Sequence, residues 1–186
     1  IKNGARTIVS DIKFQGYKKN ILFLHSKNTK KLITQVCKKI YKKKPKNIIA
    51  VTGTNGKSSV TNFYLQILKL NNKKVGSIGT LGVQDNKSLS RTINTSVDPV
   101  SLSKILNKFK KKRIDNVILE ASSHGLKQNR LDSINFNTGI FTNLSRDHLD
   151  YHKSYKDYLN SKMILFNRLM KKRSNIIYDN EIPQSK

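Results

Sequence analysis

Cysteine is almost absent from this 186-residue sequence: Cys37 stands alone, which excludes an internal disulfide and fits a reducing compartment. Tryptophan is missing and proline occurs three times. No apolar run approaches the ~20 residues of a membrane span, and no signal peptide is visible. Acidic residues are scarce, 11 against 37 lysines and arginines, for a formal charge of +26. Such a charge ordinarily points to nucleic acid or an anionic membrane. Here the excess is nearly all lysine, spread along the whole chain among many Asn and Ile, which reads as a coding bias rather than a binding face. The expectation is a cytoplasmic monomer with no nucleic-acid partner and no membrane span, and with an attraction for anionic substrates. The chain begins at Ile1 without Met and ends in a polar tail, so it reads as a fragment.

What is present centres on Ile48-Ile49-Ala50-Val51-Thr52-Gly53-Thr54-Asn55-Gly56-Lys57-Ser58-Ser59. An apolar β-type run enters a loop with two glycines, and a helical pattern follows at once, with Val60, Phe63, Tyr64, Ile67 and Leu68 on one face. Strand, loop and helix in this order make a phosphate site. The glycines let backbone N–H groups turn toward an anion, and the helix N-terminus adds its positive end. Lys57 brings a mobile charge, and the Ser58 hydroxyl can reach Mg²⁺. The common pattern has one more Gly, where Val51 stands here, so the loop is a shortened form.

Upstream, residues 1–44 read as the end of an α/β unit, with strands at Thr7-Ile8-Val9 and Ile21 to Leu24 and then a helix. Leu32, Ile33, Val36 and Ile40 form the apolar face expected of that helix, capped by Asn28 or Thr29. His25 is a strand-end residue rather than a ligand. The charged, Pro-broken stretch 41–47 has the composition of a domain boundary. Downstream, Lys74 to Gly79 predicts a second strand and Gln84 to Ser90 a polar excursion. Asp98 and Pro99 start a helix with Leu102, Ile105, Leu106 and Phe109 inward. The hydroxyl cluster just before it, Asn94-Thr95-Ser96, suits capping and a phosphate-facing lip equally.

Two later strands also end in polar chemistry. Val117-Ile118-Leu119 closes on Glu120, a position from which a carboxylate can hold Mg²⁺. Thr138 to Leu144 runs into Ser145-Arg146-Asp147-His148-Leu149-Asp150-Tyr151-His152, again at the carboxyl edge where open α/β sheets bind ligands. A helix from about Tyr155 to Met170 then carries Lys162 inside the stripe Tyr155, Tyr158, Leu159, Met163, Phe166 and Leu169. An inward lysine snorkels or pairs, or, when desolvated, reacts as the neutral amine. Addition of CO₂ would make it a carbamate that binds Mg²⁺.

Gly53 to Ser59, Glu120 to Leu126 and Asn143 to His152 together resemble the Mur ligases of peptidoglycan synthesis, most closely their UDP-N-acetylmuramoyl-tripeptide synthetase branch. The resemblance covers roughly residues 45–180. It implies a mostly parallel α/β sheet with the phosphate loop, a partial central ATP-binding domain at 45–186, preceded by the end of a small UDP-binding domain at 1–44. By the same resemblance the family's C-terminal domain, which chooses the third amino acid, is expected to be missing from this stretch. It further implies an ATP-dependent amide-bond ligase that activates UDP-MurNAc-L-Ala-D-Glu as an acyl phosphate and joins it to an amino acid, with Mg²⁺ as cofactor. By the same resemblance Gly53, Thr54, Asn55, Gly56, Lys57, Ser58 and Ser59 bind ATP, and Asn94, Thr95, Ser96, Ser122, Gln128 and Arg130 bind the UDP-MurNAc-dipeptide. Ser58, Glu120, His148 and Lys162 as a CO₂-derived carbamate hold metal, and Lys57, His148 and Lys162 are catalytic. Serines at 58, 59 and 96 replace the usual threonines with the hydroxyl kept, and Tyr178 stands where Asn is commoner. A fragment of this kind is expected to be inactive by itself. The alternatives are another ligase of the superfamily, of the MurF or folylpolyglutamate synthetase type, or a basic phosphate-loop ATPase that binds nucleic acid.

Overall fold

The computed structural model describes residues 4–90 and 96–181. Among the described residues the first segment forms a small three-stranded sheet. β1 (Thr7–Ser10) and β3 (Ile21–His25) pair in parallel, and β2 (Gly16–Lys18) is antiparallel to β3. α1 (Thr29–Ile40) follows, its first turn held by the Asn28 side chain accepting from Lys31 N.

The larger sheet has seven strands. β4 (Asn47–Thr52) lies in its interior and leads through the glycine loop into α2 (Lys57–Leu70). β5 (Val75–Gly79), β6 (Gly82–Gln84) and β7 (Leu89–Ser90) come next, then α3 (Pro99–Lys111), β8 (Asn116–Glu120), α4 (Ser123–Lys127) and β9 (Phe136–Phe141). α5 (Tyr155–Ile164) passes through a π-helical turn at Leu165–Leu169 into β10 (Met170–Tyr178). Spatial order is β10-β9-β4-β8-β5-β6-β7, parallel from β10 to β5 with an antiparallel edge of β6 and β7. The polar excursion expected at Gln84 to Ser90 is therefore a hairpin turn. Its Asp85 carboxylate accepts from Lys87 N and Ser88 N.

Parallel strands covered on both faces read as unbroken apolar runs. Val117, Ile118 and Leu119 on β8 and Ala50 and Val51 on β4 are all buried. Leu102, Leu106 and Phe109 of α3 pack into the same core, as the spacing predicts, and Asp98 caps that helix through Val100 N and Ser101 N.

Three predicted details are corrected. On α1 the buried residues are Thr34 and Cys37, while Ile33, Val36 and Ile40 face outward, because it is the Cys37 side of the helix that is covered. On α2 the buried residues are Thr61 and Leu65, and Phe63 and Ile67 are exposed. This helix lies on β5 and β8, and the smaller face fits closest to the sheet. The third concerns the helix expected to reach Met170. It widens at Leu165, which keeps Leu165 and Leu169 in the core, and the chain is already a strand paired with β9 at Met170.

Candidate active site

Every polar strand end singled out in the sequence arrives at one edge. The loop after β4, the ends of β5 and β8, the segment after β9 and the inner face of α5 enclose a cleft of about 280 Å³. Thr54, Asn55, Gly56, Lys57, Ser58 and Ser59 form one wall, and Glu120, His148 and Lys162 meet them there.

The loop's shape depends on Gly53. Its φ is +144°, and an added Cβ would sit 1.9 Å from Thr142 Oγ1. The segment after β9 braces the loop in return: Thr54 N donates to Asn143 O at 2.9 Å and Asn55 N to Asn143 Oδ1 at 2.8 Å. Ser145 N donates to Thr54 Oγ1 at 2.9 Å, and the Tyr158 hydroxyl lies 3.1 Å from the same oxygen. Asn143, Thr142 and Tyr158 were not singled out as site residues by sequence. Only their position just past a strand end, or on the inner face of α5, could have signalled them.

Two ammonium groups converge on one carbonyl. Lys57 Nζ donates to Gly53 O at 3.0 Å and Thr54 O at 2.7 Å, and Lys162 Nζ donates to Gly53 O at 2.6 Å. Lys162 is 1% exposed, with its Nζ 4.3 Å from the Tyr158 ring centroid. Burial, followed by the nearby Lys57 charge, lowers its pKa from 10.5 to about 7. Burial also lowers the pKa of Lys57, against the pull of Glu120 and Asp147. Two cations on one carbonyl leave positive charge at this end of the cleft, which phosphate oxygens would neutralise.

Glu120 is the buried acid of this cleft, 2% exposed. Thr80 pins both its oxygens, N to Oε1 at 2.9 Å and Oγ1 to Oε2 at 3.0 Å. Gly79 makes room for it, since a Cβ there would lie 2.2 Å from Oε1. Thr80 lies 40 residues from Glu120 in sequence, so no local pattern announces the pair. His148 holds a positive φ of 53° and packs edge-on against His124, ring centroids 4.9 Å apart. Glu120, His148 and the Ser58 hydroxyl border the same space as the Lys162 amine. Among the described residues no group of three His, Cys, Asp or Glu side chains could hold a metal by itself. The donor set fits a hard, hydrated cation such as Mg²⁺, which binds through one or two carboxylates and keeps its waters. A carbamate on Lys162 would add a second anionic oxygen donor.

The proposed substrate residues also come together. Ser96 Oγ lies 3.0 Å from Ser122 Oγ and 3.2 Å from Glu120 O, and Arg130 Nη1 donates to Ser96 O at 2.7 Å. Arg130 Nε donates to Gln128 Oε1 at 2.9 Å, and Gln128 Nε2 to the Tyr151 hydroxyl at 3.1 Å. Tyr151 in turn faces His124, centroids 4.0 Å apart. Ser122 Oγ also caps α4 by accepting from Gly125 N. Asn94 and Thr95 lie outside the described residues. His152, grouped by sequence with the ligand-bearing segment, is instead buried behind the cleft.

A phosphate loop at the carboxyl edge of a parallel sheet, with an acid closing the adjacent strand, defines a phosphate-loop α/β domain. Residues 51–185 match the Mur ligase middle domain, and the chain belongs to the Mur ligase family. It is 38% identical, over 98% of its length, to the UDP-N-acetylmuramoyl-L-alanyl-D-glutamate–2,6-diaminopimelate ligase of Wigglesworthia glossinidia brevipalpis, and it covers 38% of that protein. The ligase of the same name from Rickettsia bellii (strain RML369-C) is 40% identical over 100% of the chain, which covers 40% of it. The chain thus spans about two fifths of the length of the relatives it matches. A solved structure of a ligase of that name superposes with a TM-score of 0.79 at 28% identity, over 99% of this chain and 37% of the other. The MurF ligase of Thermotoga maritima in complex with ADP shares the fold, with a TM-score of 0.65 at 16% identity over 98% of this chain and 39% of the other. No helix among the described residues is long and apolar enough to cross a membrane.

Proposed function

We propose that the chain is the nucleotide- and metal-binding part of an ATP-dependent ligase that adds the third amino acid to UDP-MurNAc-L-Ala-D-Glu in cytoplasmic peptidoglycan synthesis. The observation that carries the reading is the meeting of Lys57, Ser58, Glu120, His148 and Lys162 in one cleft. The names of the relatives support 2,6-diaminopimelate as that third residue. In this reading residues 1–44 end a UDP-binding domain and residues 45–186 form part of the ATP-binding one. The whole protein acts as a monomer.

Bound ATP and Mg²⁺ supply a transferable phosphoryl group and neutralise charge. The chain's own groups do the rest. Gly53 to Ser59 would hold the phosphates, with Lys57 neutralising the transferred group, and Ser58, Glu120 and His148 would hold the metal. Lys162 is poised as the neutral amine to add CO₂, forming an N–C bond and releasing one proton. The carbamate would place an anionic oxygen donor where the bare side chain has none. Ser96, Ser122, Gln128 and Arg130, with Asn94 and Thr95, would hold the dipeptide while its D-Glu carboxylate takes the γ-phosphoryl group of ATP with release of ADP, and the incoming amine would then displace phosphate from the acyl carbon.

Calorimetric titration of the chain with ADP and Mg²⁺, with UDP-MurNAc-L-Ala-D-Glu and with a random oligonucleotide tests this. The nucleotide and the sugar dipeptide are expected to bind, and Lys57→Ala to weaken the nucleotide at least 10-fold. Oligonucleotide binding that persists as salt rises, with no response to the sugar dipeptide, would overturn the reading in favour of a nucleic-acid-binding ATPase. For the carbamate, ¹³C-bicarbonate should give a carbamate NMR signal that disappears in Lys162→Met; an unchanged spectrum in that variant removes Lys162 from the metal set.

A further inference from the structure

Ser123 borders the cleft, yet its hydroxyl is committed to a residue behind it. Its Oγ lies 3.0 Å from Nε2 of His152, a ring that is 1% exposed. The far side of that ring decides which atom donates. His152 Nδ1 lies 3.4 Å from Ser161 Oγ, whose own proton goes to Asp157 O at 2.7 Å. The same Nδ1 lies 3.6 Å from Asp157 Oδ2. Both partners are acceptors, so Nδ1 carries the proton. Burial, followed by the Lys127 charge, lowers the His152 pKa and favours the neutral ring, whose Nε2 then has only a lone pair. Ser123 must therefore donate to His152, and its oxygen has only acceptor capacity left for the cleft.

That matters because the cleft is rich in donors. Lys57 brings an ammonium group, and the glycine loop and the first turn of α2 bring backbone N–H groups. A magnesium ion keeps several of its waters, and their protons need acceptors. We propose that His152 is a positioning residue that fixes the Ser123 proton, so that the Ser123 oxygen accepts a hydrogen bond from a water of the hydrated metal held at Glu120. The inference rests on the metal–nucleotide reading of the cleft. It adds two residues of this chain that the metal–nucleotide reading leaves unused.

The test is Mn²⁺ binding to the 186-residue chain in the presence of ADP, followed by electron paramagnetic resonance, with ADP binding alone measured beside it. Ser123→Ala should weaken Mn²⁺ about 10-fold, the usual cost of losing an outer-shell partner, and leave ADP alone unchanged. His152→Phe should do the same, and the double variant should be no weaker than the worse single one. His152→Gln, which restores an acceptor for the Ser123 proton, should recover part of the loss. A purely structural role would lower the melting temperature of the His152 variants without this pattern. Wild-type Mn²⁺ affinity in Ser123→Ala, while Glu120→Gln loses it, would overturn the inference and leave the metal site standing. Additive losses in the double variant would overturn the route from His152 through Ser123. A wild-type chain whose ADP binding ignores Mn²⁺ would overturn the metal site itself and this inference with it.

Discussion

The carboxyl edge of the large sheet and the outer faces of α1 and α2 have opposite polarity, each the reverse of the usual arrangement. At the edge, Glu120, His152 and Lys162 are buried. On the helices, Ile33, Val36 and Ile40 of α1 and Phe63, Ile67 and Leu70 of α2 face outward. Burying charge costs free energy unless it is paired, whereas leaving an apolar side chain exposed forgoes a gain. Lys162 at the edge therefore carries a burial cost that an anionic ligand would relieve, and the helix faces carry none. Substitutions should separate the two regions by size and by sign.

The largest effect is expected at Gly53. A Cβ there meets Thr142 Oγ1 at 1.9 Å and Asn143 backbone atoms at about 3 Å, on a φ of +144° that side chains rarely adopt. Gly53→Ala should destabilise the chain by about 3 kcal/mol or displace the loop and abolish nucleotide binding. Removing the first obstacle with Thr142→Ala should recover part of the stability but not the φ cost. Denaturant melts and ADP titration of the three variants check this. A Gly53→Ala chain with wild-type stability and binding would show that the edge is softer than its geometry.

Lys162 comes next, and its sign is the opposite. Its folded pKa, about 7, lies below the 10.5 of the unfolded chain, so between these values the unfolded state binds the extra proton. Stability therefore rises as pH goes from about 7 to about 10.5, and the cost of the buried ammonium is complete below 7. Lys162→Met fills a similar volume without the charge, and Gly53 O keeps its bond from Lys57. The variant should be more stable than wild type by about 1–3 kcal/mol at pH 7, with a flatter pH dependence, while losing metal-dependent nucleotide binding. A loss of stability, or an unchanged pH slope, would mean that the ammonium is satisfied where it lies.

How much of this was legible in the sequence follows the range of the interactions. The loop Gly53 to Ser59, the cap Asp98 with Pro99, and Glu120 at its strand end are local patterns, and the structure places them as read. Lys162 was legible because one cation interrupted an apolar stripe. Pairs made across the fold were not: Thr80 with Glu120 at a separation of 40 residues, and Ser123 with His152 at 29. β10 escaped because Met170 to Tyr178 is half polar and lies at the sheet edge, where neither alternation nor a continuous apolar run is required. The helix faces were misassigned for a related reason. Spacing shows which apolar residues share a side, but the neighbour decides which side is covered, and on α2 the sheet took Thr61 and Leu65.

The smallest effect is expected on that helix, where it sharpens the contrast most. Phe63 is 61% exposed and Ile67 57%, one turn apart on a face that no other described element covers closely. Their side chains contribute little burial to lose, and lysine is as good a helix former as either. Phe63→Lys and Ile67→Lys together should change unfolding free energy by less than about 0.5 kcal/mol, with ADP binding unchanged. Guanidinium denaturation gives the first number and titration the second. A loss above about 1.5 kcal/mol would mean that the two side chains are covered in solution, and the exposed face would then be a contact surface rather than a neutral one.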